Sequence, residues 1–410
     1  MSVGILQIPS VCDPVYSPLY FLVSGSMSAQ NNYKIIALIK DLGGNTLAKV
    51  KQPTDSVYTT KAAFDLHRIL ENYVTHTIDL TAVQVTKANN NYIGFVVEFG
   101  EEYGSPTTAE YYYSTQTATL LAPNIALSPK DFLSFDSSTY FLGSGTRLFL
   151  NKFKGTRKVF TTTKSFLYFM QEMNSATSLV TGIKVVAKNS AGATLATTVI
   201  GQPWDGTQDD MVFLYFPSGP TNLNLIPQAQ LTSGTEGSVI PAATSTYLIN
   251  LVFNSGQNSE VLTFSIEDSC SKYDNYPIYF LGQYGQVETW NFNKKSYKSS
   301  DIQRSTFKST LGGFLTATTY GFSQGERQET QYNTEVTDSI VINTDLLNDA
   351  EYLLMKELIQ SPQVWVLEGT TLAPIVIKES NYLQKTKVND KIFNFSISFS
   401  YSSTLELQRY

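Results

Sequence analysis

The segment KDLGGNTLAK, residues 40–49, returns 148 positions later as KNSAGATLAT, residues 188–197. Residues 19–48 and 167–196 align without a gap and share nine identities in thirty positions, where unrelated sequences of average composition would share about two. In both copies an apolar run ending in Lys precedes a turn of residues that tolerate positive φ, and a second run follows. The repeat therefore predicts two β-hairpins of one design within two copies of one β-domain.

Each copy also carries a later pair of apolar runs. In the first copy, residues 82–87 and 92–99 flank Asn89–Asn91. In the second copy, residues 246–253 and 260–268 flank a Ser-Gly-Gln-Asn turn. Apolar runs joined by turn residues are typical of hairpins, so each pair predicts a further antiparallel strand pair.

Two segments predict helices. Residues 64–74 carry apolar side chains at helical spacing, with Asp65 as a candidate N-cap. Near 348–360 the pattern is stronger, because Asn348 at the N-cap and Glu351 at N3 form a capping box. A Ser-Pro pair then ends this helix.

The last 140 residues differ from the two repeats. Residues 276–292 predict two strands interrupted by glycines, and residues 363–378 predict a hairpin around Glu368-Gly369. Residues 393–401 alternate strictly between Phe, Ile or Tyr and Asn or Ser. This period of two indicates an antiparallel strand with one face on a core and the other near water.

These patterns predict an all-β fold with one or two short helices. Residues 1–122 form a first antiparallel β-sandwich, and residues 123–270 form a second that repeats it. Residues 123–158 are a linker or insertion at the start of the second domain. Residues 271–410 form a C-terminal β-rich domain that carries the helix near 348–360.

Composition excludes some classes of function. The net charge is −6 and only 16% of residues are charged, so no basic surplus exists to displace counterions from nucleic acid. We expect no signal peptide and no membrane span, because the start of the sequence and the apolar runs are too short for either. Cys12 and Cys270 are expected to be unlinked buried thiols in a chain made in a reducing cytoplasm.

The familiar catalytic and metal-binding motifs do not occur in the sequence. His67 and His76 do not have the spacing of a metal pair, and no nucleophile elbow, phosphate loop or CxxC motif occurs. The acid pairs Glu101-Glu102 and Asp209-Asp210 are expected to be solvated loop residues. We therefore predict no catalytic, cofactor or metal site, although a hydrolase with carboxylates remote in sequence stays open.

Two aromatic groups are candidates for recognition: Tyr111, Tyr112 and Tyr113, and Trp204. They could stack on sugar rings, anchor a protein interface where Tyr and Trp are enriched, or belong to strands and the core. We take these four residues as the candidate assembly interface.

Long segments resemble the virion structural proteins of tailed phages that infect Bacteroidota, crAss-like phages included. The N-terminal segments are PSVCDPVYSPLYFLVSGS, NNYKIIALIKDLGGNTLAKVKQP and FDLHRILENYV. The C-terminal segments are IYFLGQYGQVETWNF, the run from RQETQYNTEVT to ELIQSPQVWV, and the run from LAPIVIKESNYLQKT to IFNFSISFSYSS. The resemblance covers most of the chain but rests on the order and spacing of diffuse patterns.

The resemblance implies a non-enzymatic neck, tail-ring or baseplate-type component. Its expected partners are copies of itself in a closed sixfold or twelvefold ring and other virion neck or tail proteins. DNA would be only passing cargo, no membrane would be involved, and the protein would act in the virion after synthesis in the host bacterial cytoplasm. The alternative is a β-sandwich module of the tail-fibre or adhesin type that recognises cell-surface glycan.

Overall fold

The computed structural model describes residues 3–105, 110–141, 147–172, 179–201, 211–256, 258–267, 272–378, 394–403 and 405–406. Strands make up 47% of the protein and helical segments 11%, which confirms the predicted all-β class. Five short α-helices are described, where the sequence predicted one or two. The chain divides into two compact units, Met1–Ser269 with Leu281–Thr289 and Cys270–Phe280 with Trp290–Tyr410. The predicted boundaries at 122 and 270 stay predictions.

The first repeat is an antiparallel sandwich. Its elements are β1 (Gly4–Gln7), β2 (Tyr20–Ser24), β3 (Lys34–Asp41), β4 (Thr46–Gln52), β5 (Lys61–Asp65), α1 (His67–Leu70), β6 (Thr86–Lys87), β7 (Tyr92–Tyr103), β8 (Glu110–Gln116) and β9 (Leu120–Pro123), with 3₁₀ turns at Glu71–Tyr73 and Asn89–Asn91. One sheet has the order β1-β2-β5 and the other β4-β3-β7-β8, with β9 also on β7. Phe21 and Phe64 of the first sheet meet Phe99 of the second at ring distances of 5.8 and 5.7 Å. The core of this sandwich therefore lies between its two sheets.

The second repeat is a sandwich of the same kind. Its elements are α2 (Pro129–Leu133), α3 (Ser138–Phe141), β10 (Arg157–Val159), β11 (Phe166–Glu172), β12 (Val180–Lys188), β13 (Thr194–Gly201), β14 (Met211–Pro217), α4 (Pro220–Asn224), β15 (Leu231–Ser233), β16 (Thr246–Phe253) and β17 (Leu262–Ile266), with a 3₁₀ turn at Gln228–Gln230. One sheet has the order β10-β17-β16-β12-β13-β15 and the other β11-β14-β6. Among the strands described for this sandwich, only β10 and β17 pair in parallel. The core between the sheets includes Leu167, Phe169, Ile183 and Leu251.

The repeated turn has the same hydrogen bonds in both copies. The N–H of Gly44 donates to Asp41 O and that of Gly192 donates to Asn189 O, each at 3.0 Å. Both glycines have positive φ, 82° and 80°, a conformation that side chains disfavour. The predicted hairpins β3–β4 and β12–β13 are confirmed, each with a register shift at its turn.

The equivalence extends to the strand order. In both repeats the central hairpin strand also pairs with the second strand after the short helix, so β3 pairs with β7 and β12 pairs with β16. In both, the strand before the hairpin pairs with the strand after it, as β2 with β5 and β11 with β14. The two copies therefore share one topology.

One of the two predicted later hairpins is wrong. β16 and β17 pair as predicted, but β6 pairs with β14 of the second sandwich and not with β7. The apolar side chain that drives this pairing is Val85, which is fully buried in the second core. Because Asn89–Asn91 forms a 3₁₀ turn, the chain leaves β6 in one sandwich and enters β7 in the other.

The first predicted helix is shorter than expected. α1 has four residues and its N-cap is Leu66, without a side-chain cap. Asp65 is instead the last residue of β5, and its Oδ1 accepts from the N–H of Leu19 at 3.0 Å. The carboxylate therefore links the end of β5 to the residue before β2, and the same oxygen accepts from the N–H of His67 at 3.4 Å.

The second compact unit contains the rest of the chain's described elements. These are β18 (Tyr276–Leu281), β19 (Val287–Phe292), β20 (Tyr297–Lys308), β21 (Gly313–Thr316), β22 (Thr319–Gly321), β23 (Glu329–Asn343), α5 (Asp349–Gln360), β24 (Val364–Glu368), β25 (Thr371–Ile377), β26 (Ser396–Tyr401) and β27 (Leu405–Glu406). The main sheet has the order β19-β18-β24-β25-β26-β23-β20, with β27 also on β23. Residues 281–289 of the β18–β19 hairpin belong to the first unit.

The sequence predictions for this region are confirmed where the structure describes them. α5 has the capping box of Asn348 and Glu351 and ends at Ser361. The hairpin around Glu368-Gly369 joins β24 and β25. In β26, Ile397 and Phe399 are fully buried, as the alternation predicts. Phe393 lies outside the described residues.

We expect Gly192→Ala to lower the free energy of unfolding by about 1 kcal/mol, because a Cβ disfavours the left-handed backbone. No other atom lies within 4 Å of the added Cβ, so the loss is conformational and not a clash. Chemical denaturation measures the change. Ser190→Ala in the same exposed turn is the control, and an equal loss in both variants would contradict the explanation.

Candidate assembly surface

The aromatic residues predicted as an interface are only partly described. Tyr111–Tyr113 lie in β8, whose backbone pairs with Gly100–Glu102 of β7. Their side chains, like Trp204, Asp209-Asp210 and Cys270, lie outside the described residues. Their role in assembly stays a prediction.

The acid pair at 101 and 102 is not a solvated loop. Both residues lie in β7, and Glu101 is 1% exposed. Its Oε1 accepts from the Ser26 N–H at 2.6 Å and from the Tyr33 hydroxyl at 2.7 Å, while Glu102 forms an ion pair with Lys51. Burial, then the bond to Glu101, raises the pKa of Tyr33. Glu101 therefore anchors the segment before β3, a role that its sequence neighbours do not indicate.

The two histidines and Cys12 have the contacts and burial of residues that stabilise the fold. His67 Nδ1 lies 2.7 Å from Asp65 Oδ1, and burial lowers the pKa of His76. Cys12 is fully buried and free, and burial raises the pKa of its thiol. In the part of the chain that the structure describes, no group of three or more His, Cys, Asp or Glu is placed to hold a metal ion.

A cavity of about 450 Å³ lies in the second sandwich. Its described lining consists of Thr161, Pro220, Asn224, Gly237, Ser238, Ile240, Pro241, Ala242, Thr244 and Ile266. This set contains no charged side chain for acid–base chemistry and no aromatic ring to stack on a sugar. The cavity therefore gives no support to either a hydrolase or the glycan-binding alternative.

The most distinctive surface is a long hairpin in the second unit, which we call the arm (residues 297–343). β20 and β23 pair antiparallel from Tyr297–Val341 to Lys308–Glu329. A strand of 12 residues spans about 40 Å at roughly 3.4 Å per residue. β26 and β27 join β23 at 339–343 and at 335–336. Towards the tip from there, β20 and β23 have only each other as strand partners among the described residues.

Both faces of the arm are open to solvent. Every side chain of β20 is exposed except the half-buried Ser305, and β23 is buried only at Ile340 and Ile342. Polar pairs join the two strands, as where Ser300 Oγ donates to Asp338 Oδ1 at 2.6 Å. Towards the tip from Ile340 no side chain of β20 or β23 is buried, so the backbone ladder and such pairs stabilise this part of the arm.

The end of the arm, which we call the tip (residues 309–328), carries large apolar side chains in water. β21 and β22 pair there as a small sheet, and the rings of Phe314 and Tyr320 meet edge to face at 5.4 Å. Phe314 is 81% exposed and Phe322 65% exposed. The exposed apolar side chains of the tip are Leu311, Phe314, Leu315, Tyr320 and Phe322.

An exposed two-stranded hairpin is only marginally stable in water by itself. Grouped apolar side chains on a surface mark sites of protein interaction. Aromatic residues are also the side chains most enriched in binding hot spots. The arm and its tip therefore have the properties of an assembly element.

Sequence reasoning missed this surface although a signal was available. In YKSSDIQRSTFK the polar residues occupy both alternating positions of the strand. A strand that is polar on both faces has no core to pack against. The segment GGFLTATTYGF, which begins a few residues later, places Phe, Leu and Tyr between glycines, as in an exposed turn with apolar side chains.

No protein-family model matches the chain, and the search of the curated proteins also found no match. Among the helices in the described ranges, none combines the length and the apolar character needed to cross a membrane.

We expect Phe314→Ser with Phe322→Ser to reduce the fluorescence of anilinonaphthalene sulfonate added to the protein, because the dye binds exposed apolar surface. At a protein concentration where the wild type is a single chain, the melting temperature should not change, since both side chains are already exposed. Leu133→Ser, at an isolated exposed position, is the control. A lower melting temperature in the double variant would mean that the tip packs on the folded protein.

Proposed function

We propose that this protein is a non-enzymatic structural subunit of a tailed-phage virion that assembles with itself and with other neck or tail proteins around the DNA channel. The observation that carries the proposal is the arm, whose faces and apolar tip are exposed in the single chain. Exposed apolar surface of this kind marks a site where another protein binds.

The chain combines well-packed sandwich domains with an exposed arm, and this combination supports a structural role. The sandwiches of the first unit have densely packed cores, with Phe21, Phe99, Phe169 and Phe216 fully buried. Rigid domains of this kind hold an interface in place, while the arm reaches beyond its own sheet to a neighbour. The resemblance of the N- and C-terminal segments to virion structural proteins indicates that the assembly is a virion.

The charge of the chain agrees with this role. A net charge of −6 over 410 residues limits like-charge repulsion when copies repeat around a ring. A mildly acidic surface would also hold DNA weakly as it passes through a channel. DNA would then be cargo and not a ligand.

The proposal predicts that the protein self-associates in solution. Native mass spectrometry and light scattering over a concentration series should find a closed multiple of 45.5 kDa. Phe314→Glu with Phe322→Glu should shift the mass towards one chain, because burying a carboxylate at an interface is costly.

Leu133→Glu with Leu225→Glu adds the same charge at exposed positions outside the arm and should leave the mass unchanged. A wild-type protein that stays at the mass of one chain up to its solubility limit would contradict self-assembly. Equal dissociation of both double variants would show a charge effect and not a role for the tip.

A further inference from the structure

The outer face of the β11-β14-β6 sheet, on the side away from the second core, is buried. Met170, Tyr168 and Phe166 point to this side, because Leu167 and Phe169 point into the core. Tyr168 and Tyr215 lie opposite each other, are each 1% exposed and stack at 5.3 Å. Burial, with a smaller contribution from the charge of Asp79, raises the pKa of Tyr215 to about 12.

Residues from the preceding repeat cover this face. The ring of Tyr92 stacks on Phe213 at 5.5 Å, and the carbonyl of Thr77 accepts from the Tyr168 hydroxyl at 2.6 Å. β6 completes the cover by pairing with the open edge of β14. The covering segment therefore supplies a strand, an aromatic ring and backbone acceptors together.

Within the described parts of the chain, the equivalent face of the first sandwich is not covered. Tyr20 occupies the position of Tyr168 in the repeat, and it is 52% exposed. Leu22 beside it is partly exposed, and Ala63 on β5, which lies opposite Leu22, is exposed. Leu6, at the bulge in β1, is also 52% exposed. We call these four residues the outer face of the first sandwich.

The edge of this sheet is open at Ala63, although the preceding loop covers it at Lys61, whose backbone O accepts from the Asp55 N–H and whose N–H donates to Tyr58 O. Thr60 O accepts from the Gly25 N–H on the β2 side, so the backbone groups of Ala63 point to the other side. Ala63 corresponds to Phe213, whose carbonyl accepts from the Ala88 N–H in the second sandwich. Among the described residues no strand pairs with this side of β5.

We propose that the outer face of the first sandwich binds the tip of the arm from a second copy of this chain. This contact deepens the proposed function and rests on it. By the example of the second sandwich, the occupant must supply a strand together with aromatic side chains. The tip has both, since β21 and β22 carry Phe314 and Tyr320.

The chemistry of the two surfaces favours a second copy as the occupant. The tip and the outer face are both apolar patches of one chain. Charges of both signs accompany each patch, with Lys61 and Asp65 at the ends of β5 and Glu326 and Arg327 within the tip. Two different patches that bind each other give a head-to-tail contact, which closes into a ring or extends into a filament.

The test uses two full-length variants that each lose one side of the contact. The face variant is Leu6→Glu with Tyr20→Glu, and the tip variant is Phe314→Glu with Phe322→Glu. All four positions are exposed in the single chain, so circular dichroism should match the wild type. Thermal melting should also match at protein concentrations where the wild type is a single chain. Leu133→Glu with Leu225→Glu is the control and should assemble as the wild type does.

Each variant alone should have the mass of one chain, with self-association weakened about tenfold or more. An equimolar mixture should form a complex of two chains that does not grow, because the intact tip of the face variant binds the intact face of the tip variant. Native mass spectrometry distinguishes this species from a single chain and from larger assemblies.

The contact is wrong if the face variant assembles like the wild type while the tip variant does not. In that case self-assembly through the arm stands and its receptor lies elsewhere. The contact is also wrong if both variants dissociate and the mixture stays monomeric, because an intact tip and an intact face would then have failed to bind each other. A wild type that never self-associates would overturn both the contact and the self-assembly on which it rests.

Discussion

The first compact unit depends on the burial of the outer face of the β11-β14-β6 sheet. Tyr168, Met170, Phe213 and Tyr215 have almost no contact with solvent there, although they point away from the sandwich core. Full burial of a large apolar side chain contributes about 1.5–3 kcal/mol, so this layer is a second core between the repeats. It explains why a segment of the first repeat, with Val85, leaves its own sandwich and pairs with the second.

The same constraint explains what the protein leaves exposed. A sheet has two faces and two edges, and each must meet apolar groups or water according to its side chains. The second sandwich meets this requirement within the chain, whereas the first has an open face around Tyr20 and the arm has an open tip around Phe314. In the proposed assembly, a second chain can cover each of these surfaces, as residues of the first repeat cover the outer face of the second sandwich within one chain.

Local features were predictable from the sequence. The turn at Gly44 and Gly192, the capping box of Asn348 with Glu351 and the alternation of β26 each depend on residues a few positions apart. Features that need a distant partner were not predictable. The partner of β6 is β14, more than 120 residues away in the chain. The interface predicted from Tyr and Trp clusters did not include the arm, because the number of aromatic residues in a segment does not show whether their side chains are exposed to solvent.

The sequence by itself determined the β class, the duplication and the hairpins β3–β4, β12–β13, β16–β17 and β24–β25, since strand period and turn chemistry are carried by neighbouring residues. Only the tertiary structure decided which surfaces are covered. Tyr20 and Tyr168 are the same residue at the same position of the repeat, and both point away from their core. One is 52% exposed and the other 1% exposed. Their local sequences cannot distinguish them, because burial depends on residues far along the chain that fold over one face and not over the other.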